Sequence, residues 1–338
     1  MTLAGSLSGS LPPVSYRPDM TPSVQAVAVL QFGEPPSVME VPAPMPGPGE
    51  LLVRMTAVGM NPYDAKILDG ILRPRPHVFP LIAGVDGAGV VTSVGEGVRR
   101  FRAGDRVFGQ FLHDPVGTGT YAELAPVPER IGVARVPAEV TDAEAAAIPT
   151  AGMTARDALD RLALRPGATL LVVGASGGIG SFAVPFAVAE GVHVIAAARP
   201  RSFDRLRALG AGETVDVSAP DWEEGLLRGH PGGVDGLLDL MSDRERFARR
   251  ISLLRIGGRA ATTVYAADPE HPPSHSVEAF NIDLQPSAPL LERTVGTIQR
   301  HRTPVSIERS IGLAEAPAAL VEIRAGRAVG KSIIRFPE

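Results

Sequence analysis

The chain has 338 residues with a formal net charge of -4, 44% hydrophobic and 21% charged residues, a length that suits two domains and a composition ordinary for a globular protein. The acidic balance argues against nucleic-acid binding, which shows as a basic patch, and no apolar run reaches the length of a membrane span. Because cysteine is absent, disulfides, thiolate nucleophiles and cysteine-ligated zinc or iron–sulfur sites are excluded.

Residues 1–23, rich in Ser, Gly and Pro and without a basic residue before Arg17, make a poor secretory signal and read as a disordered leader. Residues 24–32 alternate weakly and predict a strand, and the proline-rich loop VPAPMPGPGE follows at 41–50. ELLVRMTAVG (50–59) predicts a strand that turns at Asn61-Pro62. The glycine-dense, β-branched stretch GVDGAGVVTSVGEGV (84–98), then GDRVFG and TYAEL, complete a β-rich, barrel-like first part. The pattern changes at TDAEAAAIPTAGMTARDALDRL (141–162), where helical spacing follows an N-cap at Thr141 or Asp142. From 169 onward strands and helices alternate: LLVVG, 178–190, VHVIAAA, FDRLRAL, ETVDV, VDGLLDL, RERFARRISLL and RAATTVY. That alternation predicts a parallel, doubly wound sheet. Two helices, APLLERTVGTIQRH and EAPAALVEIRAG, and the strand KSIIRF close the chain. Pro185 falls inside the 178–190 helix, where a local kink is expected.

The turn LLVVGASGGIGSFAVPFA (170–187) fits three chemistries. Gly174, Gly177 and Gly180 resemble a dinucleotide-binding turn with Ala175 at the first glycine of the strict motif. Gly174, Gly178 and Gly180 fit the looser glycine pattern of short-chain dehydrogenases. Gly174 to Gly178 is a literal G-x-S-x-G, which would present Ser176 as a nucleophile. Short-chain dehydrogenase chemistry needs a lysine four residues after a tyrosine; after Tyr16, Tyr63, Tyr121 and Tyr265 stand Met20, Ile67, Ala125 and Pro269. The serine-hydrolase reading is not removed by counting, since His193, His230, His271, His275 and His301 all follow Ser176. It leaves Gly180 and the arginines after the next strand without a role. In the dinucleotide reading the glycines admit a pyrophosphate to the backbone and the helix N-terminus faces it. VHVIAAA then ends in Arg199-Pro200-Arg201-Ser202 with no acid until Asp204, which selects an NADP 2′-phosphate over an NAD ribose.

With the turn read this way, the chain resembles a medium-chain dehydrogenase/reductase of the zinc-free quinone oxidoreductase (zeta-crystallin-like) branch. The resemblance rests on AVGMNPYDAKI (57–67), AGVDGAGVVTSVGEGVRRFRAGDRVFG (83–109), TYAEL (120–124), AAIPTAGMTARDAL (146–159), the Gly174–Gly180 turn, LLRIGGRAATT (253–263) and GKSIIR (330–335). It implies an α/β chain with a GroES-like β-barrel catalytic domain over 24–150 and 288–338. A Rossmann cofactor domain over 151–287 is inserted, and the usual assembly is a homodimer. In zinc-dependent relatives the ligands stand where this chain has Asn61, Val85 and a position near Thr150, so no metal is implied; Asp64 and Asp86 lack nitrogen partners for one.

The implied activity is cytoplasmic, NADPH-dependent hydride transfer to a quinone or α,β-unsaturated carbonyl compound. A polyketide-type enoyl reductase is the nearest alternative; a hydrolase on Ser176 and a non-catalytic NADPH-binding protein are more distant ones. Asn61, Tyr63 and Lys66 are the catalytic candidates. Cofactor contacts are assigned to Asn61, Thr154, Ala175, Ser176, Gly177, Gly178, Ile179, Arg199, Arg201, Ser202, Thr263, Phe280 and Lys331.

Overall fold

The computed structural model describes residues 22–268 and 277–337. Most of the leader expected over 1–23, and His271 and His275, lie outside the described residues. The first part of the chain runs β1 (Ser23–Val29), β2 (Ser37–Pro42), β3 (Glu50–Met60), α1 (Pro62–Leu68), β4 (His77–Ile82), β5 (Asp86–Val94), β6 (Arg106–Gln110), β7 (Val116–Thr118), β8 (Leu124–Pro128) and β9 (Val133–Arg135). Next come α2 (Asp142–Ala147) and α3 (Pro149–Leu162). The alternating region holds β10 (Thr169–Val173), α4 (Gly180–Ala189), β11 (His193–Ala198), α5 (Phe203–Ala208), β12 (Glu213–Asp216), α6 (Trp222–Gly229), β13 (Val234–Asp239), α7 (Arg244–Arg250), β14 (Leu254–Thr262) and β15 (Glu278–Asn281). The chain closes with α8 (Ala288–His301), β16 (Ile307–Ile311), α9 (Ala316–Arg324) and β17 (Lys331–Arg335).

The alternating region builds a parallel sheet in the order β12-β11-β10-β13-β14-β15, the doubly wound arrangement whose ligands bind where the strand order reverses. The reversal lies between β10 and β13, and the glycine turn leaves the carboxyl end of β10 at that point. Side-chain alternation explains the layers. Leu170 and Val172 of β10 pack with Phe182 and Ala183 of α4 and with Ala155 and Leu159 of α3, while Leu171 and Val173 pack with Trp222 and Leu226 of α6 and Phe247 of α7. A strand buried on both faces reads as a continuous apolar run, as LLVV does.

The β-rich part forms a sheet in the order β16-β17-β3-β5-β6-β9, with β8 also on β3, and a second sheet β2-β1-β4-β7. Distant parts of the chain are joined here, since β17 pairs antiparallel with β3 across Ser332–Met60. Two differences from the sequence reading have local causes. The helical stretch at 141–162 is two helices, because Pro149 has no N–H to carry the hydrogen-bond ladder across the junction, although Ile148 before it keeps helical dihedrals; Thr141 caps the first, accepting from the Glu144 N–H. TYAEL is not a strand over its length. Tyr121 sits in a bend with its N–H on the Ala83 carbonyl and its carbonyl on the Val27 N–H, and the strand begins at Leu124. As expected, Pro185 lies inside a helix, α4, and leaves the Ser181 carbonyl without a helical donor.

Candidate functional site

Register brings chemistry to one edge of the barrel sheet. β3 ends at Met60, β5 starts at Asp86 opposite Gln110 at the end of β6, and β17 starts at Lys331 beside Met60. Asn61, Asp86, Gln110 and Lys331 thus meet, and all are buried. Lys331 Nζ donates to Asn61 Oδ1 at 2.6 Å, to the Met60 carbonyl at 3.2 Å and to Asp86 Oδ2 at 3.2 Å, which uses all three of its protons. Asn61 Nδ2 donates to Asp86 Oδ2 at 2.9 Å. The other Asp86 oxygen accepts from the Thr150 N–H at 3.0 Å and its hydroxyl at 2.6 Å, and Gln110 Nε2 donates to that hydroxyl at 2.8 Å. Thr150 lies in the first turn of α3, whose positive dipole end stabilises the carboxylate. A buried ion pair is retained only when its remaining donors and acceptors are satisfied, as here.

Beneath this cluster, Asp64 in the first turn of α1 is fully buried. Its Oδ2 accepts from the Asn61 N–H and the Tyr121 hydroxyl, both at 2.7 Å, and its Oδ1 has no partner among the described residues. Burial, reinforced by the charge of Asp86, pushes the Asp64 carboxyl up to about 7. Tyr121, buried against that carboxyl, is raised well above the ordinary phenol value.

The catalytic candidates separate in space. Asn61 is in the cluster, and Tyr63 is half-buried on α1, its phenol pushed up by burial. Asp283, whose charge also raises the Tyr63 phenol, accepts from the hydroxyl of Tyr265 at 2.7 Å. Tyr265 has a left-handed backbone, φ 58°, just after β14. Lys66 is exposed on α1 and bonded to no described side chain. Three residues of the cluster, Asp86, Thr150 and Gln110, were not among the expected site residues. The signal for Asp86 was a lone acid in a strand otherwise of small and β-branched residues.

The second site is the turn after β10. Gly174 needs its positive φ of 80°, and a Cβ on Gly180 would sit 2.2 Å from the Ala175 carbonyl oxygen, so both are required by the backbone itself. A Cβ on Gly178 would meet nothing nearer than 3.8 Å, leaving room above the turn. The N–H groups of Gly178 and Ile179 have no partner among the described residues. Open space with unpaired N–H groups at a helix start fits a dinucleotide pyrophosphate. Ala175 is buried, and Ser176, Gly177 and Ile179 are half-buried along the same turn.

Arg199 precedes and Arg201 lies within a short 3-10 turn at the end of β11, both exposed and with side chains that make no hydrogen bond or ion pair among the described residues; Ser202 is buried there. An acid does reach this strand end: Asp216 of β12 stands in register with Ala198, its carboxylate capped by the N–H of Ser218 at 2.9 Å and by its hydroxyl. Thr154 is buried one turn along α3 from Thr150, donating to the Thr150 carbonyl at 2.6 Å, and Thr263 is half-buried just past β14. Lys331 spends its ammonium in the barrel cluster, while its Cδ lies 3.8 Å from where a Cβ on Gly178 would stand, so the side chain runs beside the turn. The Phe280 ring lies between the guanidiniums of Arg161 and Arg259, at 4.4 and 5.8 Å.

The donor set does not fit a catalytic zinc. Val85 is an apolar core residue, and Asn61, Thr150 and Asp86 spend their polar atoms on one another and on the Lys331 ammonium. No group of three or more His, Asp or Glu suited to a metal occurs among the described residues. For Ser176, no described histidine hydrogen-bonds its hydroxyl, and His193 and His230 are both held by Glu213. No described helix is long and apolar enough to cross a membrane.

Residues 47–138 match the family model of the alcohol dehydrogenase GroES-like domain, and residues 178–297 match that of the zinc-binding dehydrogenase. Over 190 residues the chain is 40% identical to the chloroplast envelope quinone oxidoreductase homolog of Arabidopsis thaliana, covering 54% of this chain and 57% of that protein. The match thus spans little more than half the length of that relative. An alcohol dehydrogenase of Rhizobium meliloti (strain 1021) is 33% identical over 264 residues, covering 71% of this chain and 76% of the relative. The solved structure of the quinone oxidoreductase from Coxiella burnetii superposes with a TM-score of 0.82 at 25% identity, covering 94% of this chain and all of the other.

Proposed function

Since the chain belongs to the medium-chain dehydrogenase/reductase family, in its quinone oxidoreductase branch, we propose that it is an NADPH-dependent reductase of quinones or α,β-unsaturated carbonyl compounds that works without metal. When bound, the reduced nicotinamide supplies a hydride to a carbon already polarised through conjugation. The substrate oxygen then needs a hydrogen-bond donor rather than a Lewis acid. Tyr63 offers one. Its phenol, raised by burial, stays protonated at neutral pH. Asn61 cannot rotate freely, because Lys331 holds its oxygen and Asp86 its nitrogen, so its amide is a fixed wall for the nicotinamide side of the site. The half-buried glycine turn receives the pyrophosphate.

The observation that carries the cofactor choice is the pair of unpartnered guanidiniums, Arg199 and Arg201, beside the turn. A guanidinium holds a phosphate through two parallel charge-assisted bonds. Each bond to a charged group contributes about 1.5–3 kcal/mol, so losing one arginine should weaken NADPH roughly tenfold or more and leave NADH nearly unchanged. The test is kcat/KM with both cofactors for the wild type, Arg199→Ala and Arg201→Ala, using a quinone acceptor. A wild type preferring NADH, or equal losses with both cofactors, refutes the assignment.

A further inference from the structure

The glycine turn is held to the barrel by two contacts from residues far away in sequence. Gly330, just before β17, donates its N–H to the Ser176 carbonyl at 2.8 Å and bridges Gly177. Arg205 of α5 forms an ion pair with Glu308 of β16 and donates to the Ser181 hydroxyl and, at 3.4 Å, to the Ser176 carbonyl. Gly330 must be glycine here. Its φ is 63°, and a Cβ would stand 2.1 Å from Glu308 Cγ and 2.9 Å from an Arg205 nitrogen. A guanidinium therefore sits on the same turn whose Gly178 and Ile179 N–H groups are unpaired, and its charge is neutralised by a carboxylate from the other sheet.

We propose that Arg205 is a phosphate-binding residue of the cofactor site and that Glu308 competes with the cofactor for it. The Arg205–Glu308 pair is a latch between the two sheets, opened when a dinucleotide phosphate takes the place of the carboxylate. This rests on the reading of the turn as a dinucleotide site. The asymmetry of the pair favours the exchange. The Arg205 side chain is only 16% exposed and pinned to the turn by two further bonds, so it loses little freedom on binding a phosphate. The Glu308 side chain is 33% exposed and lies at 3.1 Å from the Ser306 hydroxyl, so it leaves toward water with a partner at hand. Phosphate, with more charge and more acceptor oxygens than a carboxylate, matches the guanidinium fork better.

The experiment is titration calorimetry of NADPH and NADH on the full chain, its Glu308→Gln and Arg205→Met variants and the double variant. Glu308→Gln removes the competing charge and should tighten NADPH roughly tenfold, the worth of one charged hydrogen bond. Arg205→Met should weaken it by a similar factor. In the double variant the gain from Glu308→Gln should vanish, since it acts only through Arg205. Equal effects on NADPH and NADH identify the pyrophosphate as the occupant; effects on NADPH alone identify the 2′-phosphate. Unchanged or weaker binding by Glu308→Gln, which keeps the native Arg205, overturns the latch and makes the pair a static strut. A wild type that binds neither cofactor overturns the dinucleotide reading and the latch together.

Discussion

Replacing Asp64 with asparagine isolates the energetic consequence of burying one carboxyl under the Asn61–Asp86–Lys331 cluster. The Asp64 pKa is pushed from its ordinary 3.8 up to about 7, first by burial and then by the charge of Asp86, against the opposing hydrogen bonds of Tyr121 and Asn61. Between about pH 4 and pH 7 the folded protein therefore keeps a proton that the unfolded chain has released. Stability contributed by this proton is fully present below the unfolded value and is lost as the pH rises through the folded one, at about 1.4 kcal/mol per pH unit. Over the full shift that amounts to about 4 kcal/mol. The substituted amide does not titrate, and its oxygen would still accept from the Asn61 N–H and the Tyr121 hydroxyl. The two proteins should be close in stability near pH 4, and Asp64→Asn should gain steadily until about pH 7 and hold its advantage above it. Urea unfolding followed by circular dichroism from about pH 4.5 to about pH 8 measures the difference, with m-values compared to confirm that the same transition is followed. Other carboxylates, such as Asp105 and Glu213, whose pKa values are lowered, tilt both curves alike and cancel. Parallel curves would refute the reasoning, because they would mean that Asp64 titrates in the folded protein as it does in water.

The glycine turn separates backbone need from ligand room: Gly180→Ala forces a Cβ against the Ala175 carbonyl and should lower Tm by several degrees, whereas Gly178→Ala should keep Tm and weaken dinucleotide binding, measured by calorimetry. Lys331→Met leaves Asp86 buried without its cation and should destabilise the chain by about 3–5 kcal/mol in urea unfolding. Treatment with a strong chelator should leave kcat unchanged and metal analysis should find no stoichiometric zinc; tightly held zinc at one per chain would refute the metal-free reading.

Much of the cofactor half was legible in the sequence because its information is local. The run LLVV declares a strand buried on both faces, the glycines at 174 and 180 declare a turn that tolerates no side chain, and Arg199 and Arg201 lie a few residues beyond the next strand, where neighbouring parallel strands must deliver them. The helices 142–147 and 288–301 carry their own caps at Thr141 and Ser287. The barrel half was legible only as separate residues. Asn61, Asp86, Thr150 and Lys331 are joined by sheet register and by the return of the chain's last strand to β3, a pairing no window of sequence contains. The raised carboxyl of Asp64 is likewise a product of burial, which its position before an apolar helix face does not announce. Arg205 and Glu308 look like ordinary surface charges in their own helix and strand until two sheets bring them together. Local propensity and spacing determined the elements and the glycine turn; the cluster, the Arg205–Glu308 pair and the titration behaviour were decided by long-range packing, where the free energy depends on which charges the fold removes from water together.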